Sequence, residues 1–146
     1  AAAQLAGASD CSDDQLLDFL FNELVEPALG DGIVYVLDFP PKQAAMAQIA
    51  HGVAQRFEVY VDGMELANGY LELTDETELR QRFEQQGRER RQLGLHVAPL
   101  DEALLMAIRH GLSPMSGVAL GVDRLVMLVL GAHNIDEVLA FPLERA

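Results

Sequence analysis

Cysteine is almost missing from this chain: Cys11 stands alone among 146 residues. A single thiol excludes a disulfide framework and fits a reducing compartment such as the cytoplasm. Basic residues are scarce as well. Ten Lys and Arg stand against 23 Asp and Glu, giving a net charge of −13. So acidic a surface repels nucleic acid and argues against a broad nucleic-acid footprint, while leaving room for a local basic patch. No apolar run reaches the roughly 18 residues of a membrane-spanning helix, and no secretory leader is visible. No internal repeat or low-complexity tract appears. There is no initiator Met, and the opening AAAQLAGASD has no strong core pattern. The expectation is a piece of a longer protein, with residues 1–11 a frayed or truncated upstream segment. The remainder has an ordinary globular balance, 50% hydrophobic and 23% charged. That suits one domain burying roughly 68–70% of its unfolded surface.

The most informative stretch runs from Arg56 to Leu73, RFEVYVDGMELANGYLEL. Asp62-Gly63 is a strong two-residue hairpin signal between two runs of strand formers. The acids are what make it unusual. Glu58, Glu65 and Glu72 sit among Phe57, Val59, Tyr60, Val61, Leu66, Tyr70 and Leu71. A turn at 62–63 pairs Tyr60 with Glu65, so Glu58 and Glu65 share a face as diagonal neighbours. Two carboxylates about 4 Å apart repel by roughly 4 kcal/mol at an effective dielectric near 20. Water, a basic side chain or a cation must offset this, and magnesium suits paired carboxylates that also hold phosphates. The plain alternative is acids facing solvent on a half-buried sheet. Glu65 and Glu72 differ by an odd number of residues and face opposite sides of a regular strand. A bulge at Asn68-Gly69 would bring them to one side; a second turn there is the other reading, and periodicity does not choose.

Along the rest of the chain, Ser12 or Asp13 caps a helix through about Glu26, stopped by Pro27. Ile33–Leu37 reads as a short strand ended by Pro40-Pro41. Lys42–Ala50 is a helical turn or a loop, and His51 beside the strand reads as structural. Thr74 or Asp75 caps a polar helix to about Arg91, with i, i+4 pairs Glu76–Arg80, Glu78–Arg82 and Glu84–Arg88. Asp101–His110 is a further helix, with Leu104, Leu105 and Ile108 buried and Gly111 past its end.

Ser116–Gly131, SGVALGVDRLVMLVLG, is the second informative stretch. Gly117–Gly121 reads as a strand of small residues. Val122–Leu130 is an almost wholly apolar helix, expected to be central and buried. Asp123 in its first turn favours the helix dipole, whereas Arg124 opposes it and needs another reason to be there. An Arg at such a lip can stack on a purine or clamp phosphate. A buried Asp123–Arg124 pair tying helix to sheet is the alternative.

Together the two stretches resemble class II aminoacyl-tRNA synthetases of the lysyl type. ELANGYLE, Glu65–Glu72, is similar to that family's Glu-x-x-Asn-Gly-aromatic-x-Glu signature. GVALGVDRL, Gly117–Leu125, is similar to its motif 3. The runs RFEVYVDGMELANGYLELTD, QRFEQ and SGVALGVDRLVMLVLGA resemble the small branch of the family that modifies elongation factor P. The fold this implies is α+β: an antiparallel sheet flanked by helices, the C-terminal part of a class II catalytic domain over 1–146. The activity it implies is ATP-dependent formation of an adenylate of (R)-β-lysine or lysine, then transfer to a lysine of elongation factor P. The carried-over roles are Glu58 and Glu65 for magnesium and ATP, and Leu66 and Gly121 as backbone to the adenine nucleotide. Asn68 would face the substrate carboxylate, Glu72 its side-chain amine, and Arg124 the adenine or triphosphate. Ala119 stands where the synthetases usually carry Gly, and one methyl on a pocket wall is worth about 1–3 kcal/mol of discrimination. Motifs 1 and 2 of the family are not found, so this stretch alone is expected to be inactive. PPKQAAMA, Pro40–Ala47, departs from the family pattern. The resemblance further implies a cytoplasmic homodimer in the complete protein, without membrane or tRNA as partner. A piece of a lysyl-tRNA synthetase and a non-catalytic binding module are the competing readings.

Overall fold

The computed structural model describes residues 13–142, with side chains from Leu16 onward. Cys11 and the Ser12 cap lie outside the described residues. Helix α1 (Asp13–Leu20) widens into a π turn over Phe21–Val25 and closes as a 3-10 turn over Glu26–Ala28. The single helix to Glu26 expected from the sequence is therefore three segments of different pitch. Pro27 is the second residue of the last, a first-turn position where its missing N–H costs nothing.

Among the described residues five strands form one sheet: β1 (Ile33–Phe39), β2 (Ile49–Ala50), β3 (Val53–Val61), β4 (Met64–Leu71) and β5 (Ser116–Leu120). Their order is β1–β3–β4–β5, with β2 also on β3. Asp62 and Gly63 turn β3 into β4 with φ of 49° and 77°. Positive φ at both positions is the type I′ turn, whose twist matches that of the strands it joins. The Asp62 carboxylate also accepts from the Gly32 N–H at 2.7 Å. A second such turn lies at His51-Gly52, with φ of 54° and 82°. It sets the antiparallel register Ala50↔Val53 and Ile49↔Ala54. His51 is thus a turn residue, in a hairpin the sequence reading missed.

By packing, the chain divides into two units. One comprises 38–56 and 69–117 and has a compact core of Leu73, Leu79, Leu105 and Ile108, with Met46, Phe83, Leu100 and Leu104 against it. The core joins α2 (Glu76–Gln92) to α3 (Glu102–Arg109). Helix α2 starts at the Asp75 cap, one of the two expected, and Asp101, expected as the first residue of α3, is its cap instead. The Asp75 carboxylate accepts from Glu78 N–H, and that of Asp101 from Leu104 N–H, both at 2.9 Å. Arg80 binds Glu76 at 2.9 Å and grips both oxygens of Glu102 at 2.8 and 2.9 Å. That fork holds the Glu102 carboxyl below its ordinary pKa. Arg82 pairs with Glu78 and donates to the Ala45 and Ala47 carbonyls at 2.8 Å. Arg88 turns to Gln85 at 2.7 Å, the neighbour three residues back, instead of the expected Glu84.

The other unit comprises the described parts of 1–37, with 57–68 and the chain from 118. It holds the tip of the β3–β4 hairpin, the end of β5 and helix α4 (Val122–Leu130). Gly131 ends α4 in the left-handed conformation, φ 65°. The expectation of a buried α4 fails. Val122, Val129 and Leu130 are 64%, 77% and 68% exposed, and Met127 is the buried residue of the helix. An apolar sequence states what a helix needs around it; among the described residues of this chain, those neighbours are not supplied. Ile33, Tyr35 and Leu37 on β1 are exposed in the same way.

Candidate functional site

The hairpin tip brings Glu58, Tyr60, Glu65 and Asn68 together. Glu58 and Tyr60 are two apart on β3 and share a face, where each is buried, 6% and 3% exposed. A carboxylate so far from water needs donors. Tyr60 Oη donates to Glu58 Oε2 at 2.8 Å, and Asn68 Nδ2 donates to Oε1 at 3.0 Å. Burial pushes the Tyr60 phenol well above its ordinary pKa. The bond to Glu58, then the charges of Glu58, Glu26 and Glu65, raise it further.

The Asn68–Glu58 bond also reports on strand geometry. From a two-residue turn at 62–63, a regular ladder sets Asn68 opposite Phe57, on the face away from Glu58. Asn68 nevertheless reaches Glu58, and β4 is continuous from Met64 to Leu71. The regular alternation is therefore broken somewhere in the hairpin between Glu58 and Asn68, and Asn68-Gly69 is not a second turn.

Arg124 finds its reason here. Its guanidinium turns back from the first turn of α4 and donates to the Glu65 carbonyl at 2.6 Å and the Glu65 carboxylate at 3.3 Å. Its partner is thus Glu65, not the adjacent Asp123. Gly121 caps α4 from β5: its N–H donates to the Leu66 carbonyl, and its carbonyl accepts from Leu125 N–H, both at 2.9 Å. Leu66 and Gly121 are thereby tied to each other. A ligand can lie flat on this backbone and use the second lone pair of each carbonyl.

A cavity of about 380 Å³ opens between β4, β5 and the start of α4. Of the residues named from the sequence, Glu65, Leu66, Asn68, Ala119, Gly121 and Arg124 line it. Glu58 stands behind Asn68 through their hydrogen bond. Asn68 Oδ1 is buried without a hydrogen-bond partner among the described residues. As oriented, Asn68 commits Nδ2 to Glu58, and binding a carboxylate in the cavity requires Nδ2 to leave Glu58.

Asp123 and Ile135 also line the cavity. Ile135 opens a 3-10 turn, Ile135–Glu137, held by a capping box. Asn134 Oδ1 accepts from Asp136 N–H at 3.0 Å, and the Glu137 carboxylate accepts from Asn134 N–H at 2.9 Å and His133 N–H at 3.1 Å. The Asn-x-x-Glu spacing signals such a turn, but nothing local in the sequence places it beside the cavity. Tyr60 was missed as the partner of Glu58 for the same reason. A second cleft of about 360 Å³ lies beside the Asp62-Gly63 turn, with Glu26, Asp31 and Asp62 on its walls.

Glu72 belongs to the other unit. Its N–H donates to the Met115 carbonyl at 2.9 Å, its carbonyl accepts from Gln48 Nε2 at 2.9 Å, and it bridges to Ala47. Its carboxylate lies against Gly117.

For magnesium, the donor chemistry fits in part. No group of three or more His, Cys, Asp or Glu gathers among the described residues, so there is no all-protein cage. Magnesium held by substrate phosphates needs one or two carboxylates. Glu65, on the cavity wall, meets that need; Glu58 meets it by exchanging a donor such as Tyr60 or Asn68.

The family model for class II tRNA synthetases (D, K and N) matches residues 19–145. A protein of Hamiltonella defensa is 54% identical over 137 residues, covering 91% of this chain and 42% of its own length. One of Avibacterium paragallinarum is 53% identical with the same coverage, and one of Edwardsiella ictaluri is 51% identical over 152 residues, 100% of this chain and 47% of its own length. All three are named elongation factor P–(R)-beta-lysine ligase. The chain spans less than half the length of these curated relatives. The ELANGYLE hairpin, the GVALGVDR strand and helix, and a match over residues 19–145 lead to one conclusion: this chain belongs to the class II tRNA synthetases (D, K and N).

Proposed function

We propose that this chain is part of an ATP-dependent ligase that activates (R)-β-lysine, or lysine, as an adenylate. The acyl group then passes to a lysine side chain of elongation factor P. The observation that carries this is the cavity lined by Glu65, Asn68, Ala119 and Arg124, in a chain 50–54% identical to ligases of that name. Arg124 is the catalytic cation. It holds the triphosphate or stacks on adenine, after exchanging its bond to the Glu65 carboxylate for the ligand. The backbone of Leu66 and Gly121 supports the nucleotide. We assign Asn68 to the carboxylate end of the amino acid and Ala119 to the wall of the cavity; Glu72 is assigned the side-chain ammonium on the family signature alone. Glu65 and Glu58 would hold magnesium, whose charge would offset that of the departing pyrophosphate. The substrate carboxylate attacks the α-phosphorus, and pyrophosphate leaves with the bonding electron pair. The amine of elongation factor P then displaces AMP. No side-chain nucleophile is required. We place the reaction in the cytoplasm, in a homodimer, without tRNA.

The test is ATP–pyrophosphate exchange with β-lysine and lysine, in a protein of the relatives' full length that carries this chain. Exchange with either amino acid, reduced at least a hundredfold by Arg124→Ala, is the expected result; that is the scale for a group acting on developing charge. Exchange that Arg124→Ala leaves intact would overturn the assignment of Arg124. Aminoacylation of lysine tRNA without modification of elongation factor P would favour a tRNA synthetase instead.

A further inference from the structure

Gly117 sits inside β5, where glycine is costly. Glycine loses more backbone freedom on folding than alanine would at such a position. Seven of the described glycines have the positive φ that would justify them, and Gly117 is not among these. Its reason is steric. A Cβ built at 117 falls well inside contact distance of Glu72 Oε1, with Cδ at 3.5 Å and Cγ at 4.0 Å. The absent side chain is the space in which the Glu72 carboxylate lies.

We propose that Gly117 is a positioning residue: by lacking a side chain it lets the Glu72 carboxylate lie over β5, where it receives the side-chain ammonium of a diamino acid. The second half of this rests on the function proposed above. The backbone of Glu72 has little freedom to respond to an intruding methyl. It is held by the Met115 carbonyl, by Gln48 and by the bridge to Ala47. The side-chain torsions must yield instead, and moving the tip of a flexible side chain is cheap in stability. It is expensive in recognition, because the carboxylate must retreat by about 1 Å to restore ordinary contact. A misplacement of that size costs up to about a hundredfold in a preorganised site. Gly117 and Gly121 differ in this respect: a Cβ at Gly121 would meet Arg124 at 3.4 Å and beyond, within ordinary packing.

Gly117→Ala, in the same full-length protein, is expected to raise KM for the amino acid tenfold or more. KM for ATP and the melting temperature should stay within error. In a Glu72→Asp background, whose shorter side chain withdraws from the methyl, the same substitution should cost less than threefold. An unchanged amino-acid KM, an equal loss in both backgrounds, or a loss that tracks a fall in melting temperature would each overturn the proposal. A crystal structure of Gly117→Ala provides a readout independent of turnover. A displaced Glu72 carboxylate supports the steric assignment, and an undisplaced one refutes it, even if the wild-type protein activated neither amino acid and the function above had to be abandoned.

Discussion

Replacing Tyr60 by Phe removes one oxygen from the interior and little else. The ring stays, with its tilted contact to Phe21 at 6.3 Å between centroids, so no large cavity opens. What is lost is the 2.8 Å bond from a phenol 3% exposed to a carboxylate 6% exposed. A hydrogen bond to a charged group contributes about 1.5–3 kcal/mol, and burial of both partners here keeps it within that range. Tyr60→Phe should therefore destabilise the fold by about 2 kcal/mol, or lower Tm by about 4–8 °C for a chain of this size. Urea titration followed by circular dichroism measures it, with the m value unchanged. Repeating the substitution in a Glu58→Gln background isolates the pair: a coupling of at least about 1 kcal/mol is expected. A loss below about 0.5 kcal/mol, or no coupling, would show that Glu58 does not depend on this phenol.

Alkaline pH tests the same pair from the other side. The folded pKa of Tyr60 is raised, so its contribution to stability is fully present below the ordinary phenol value of about 10 and fades as pH climbs toward the raised value. Wild type should lose stability above about pH 10 more steeply than Tyr60→Phe, as parallel urea titrations at two alkaline pH values would reveal; identical slopes would contradict the raised pKa. Ala119→Gly, on the cavity wall beside Asn68, should raise activation of lysine relative to β-lysine by about tenfold, the scale of one methyl group. An unchanged ratio of kcat/KM for the two amino acids would remove Ala119 as the selector.

Sequence reading succeeded where a feature is specified by neighbours along the chain. The Asp62-Gly63 turn, the Asp75 cap and the Glu76–Arg80 and Glu78–Arg82 pairs are local chemistry, and all are present. The family signatures named six residues that the fold gathers around one cavity. What the sequence hid depends on residues far apart in the chain. The burial of α4 could not be judged from its own apolarity. The donation of Tyr60 to Glu58 needed the strand packing, and the broken alternation of the hairpin showed only through the bond from Asn68. His51-Gly52 was local and still missed, because His is a less usual partner for Gly in such turns than Asn or Asp.

The open face of α4 bears on how this chain behaves in a test tube. Val122, Val129 and Leu130 expose most of their surface, as does Phe141 at 85%. Against them stands a net charge of −13, which keeps molecules apart in dilute buffer. Salt removes the second influence and strengthens the first: the screening length falls to about 10 Å at 0.1 M, and sulfate favours apolar burial further. Handled alone, the chain should remain dispersed at low ionic strength, self-associate as salt is added, and be retained on a phenyl matrix. Purification is therefore best begun in the absence of added salt.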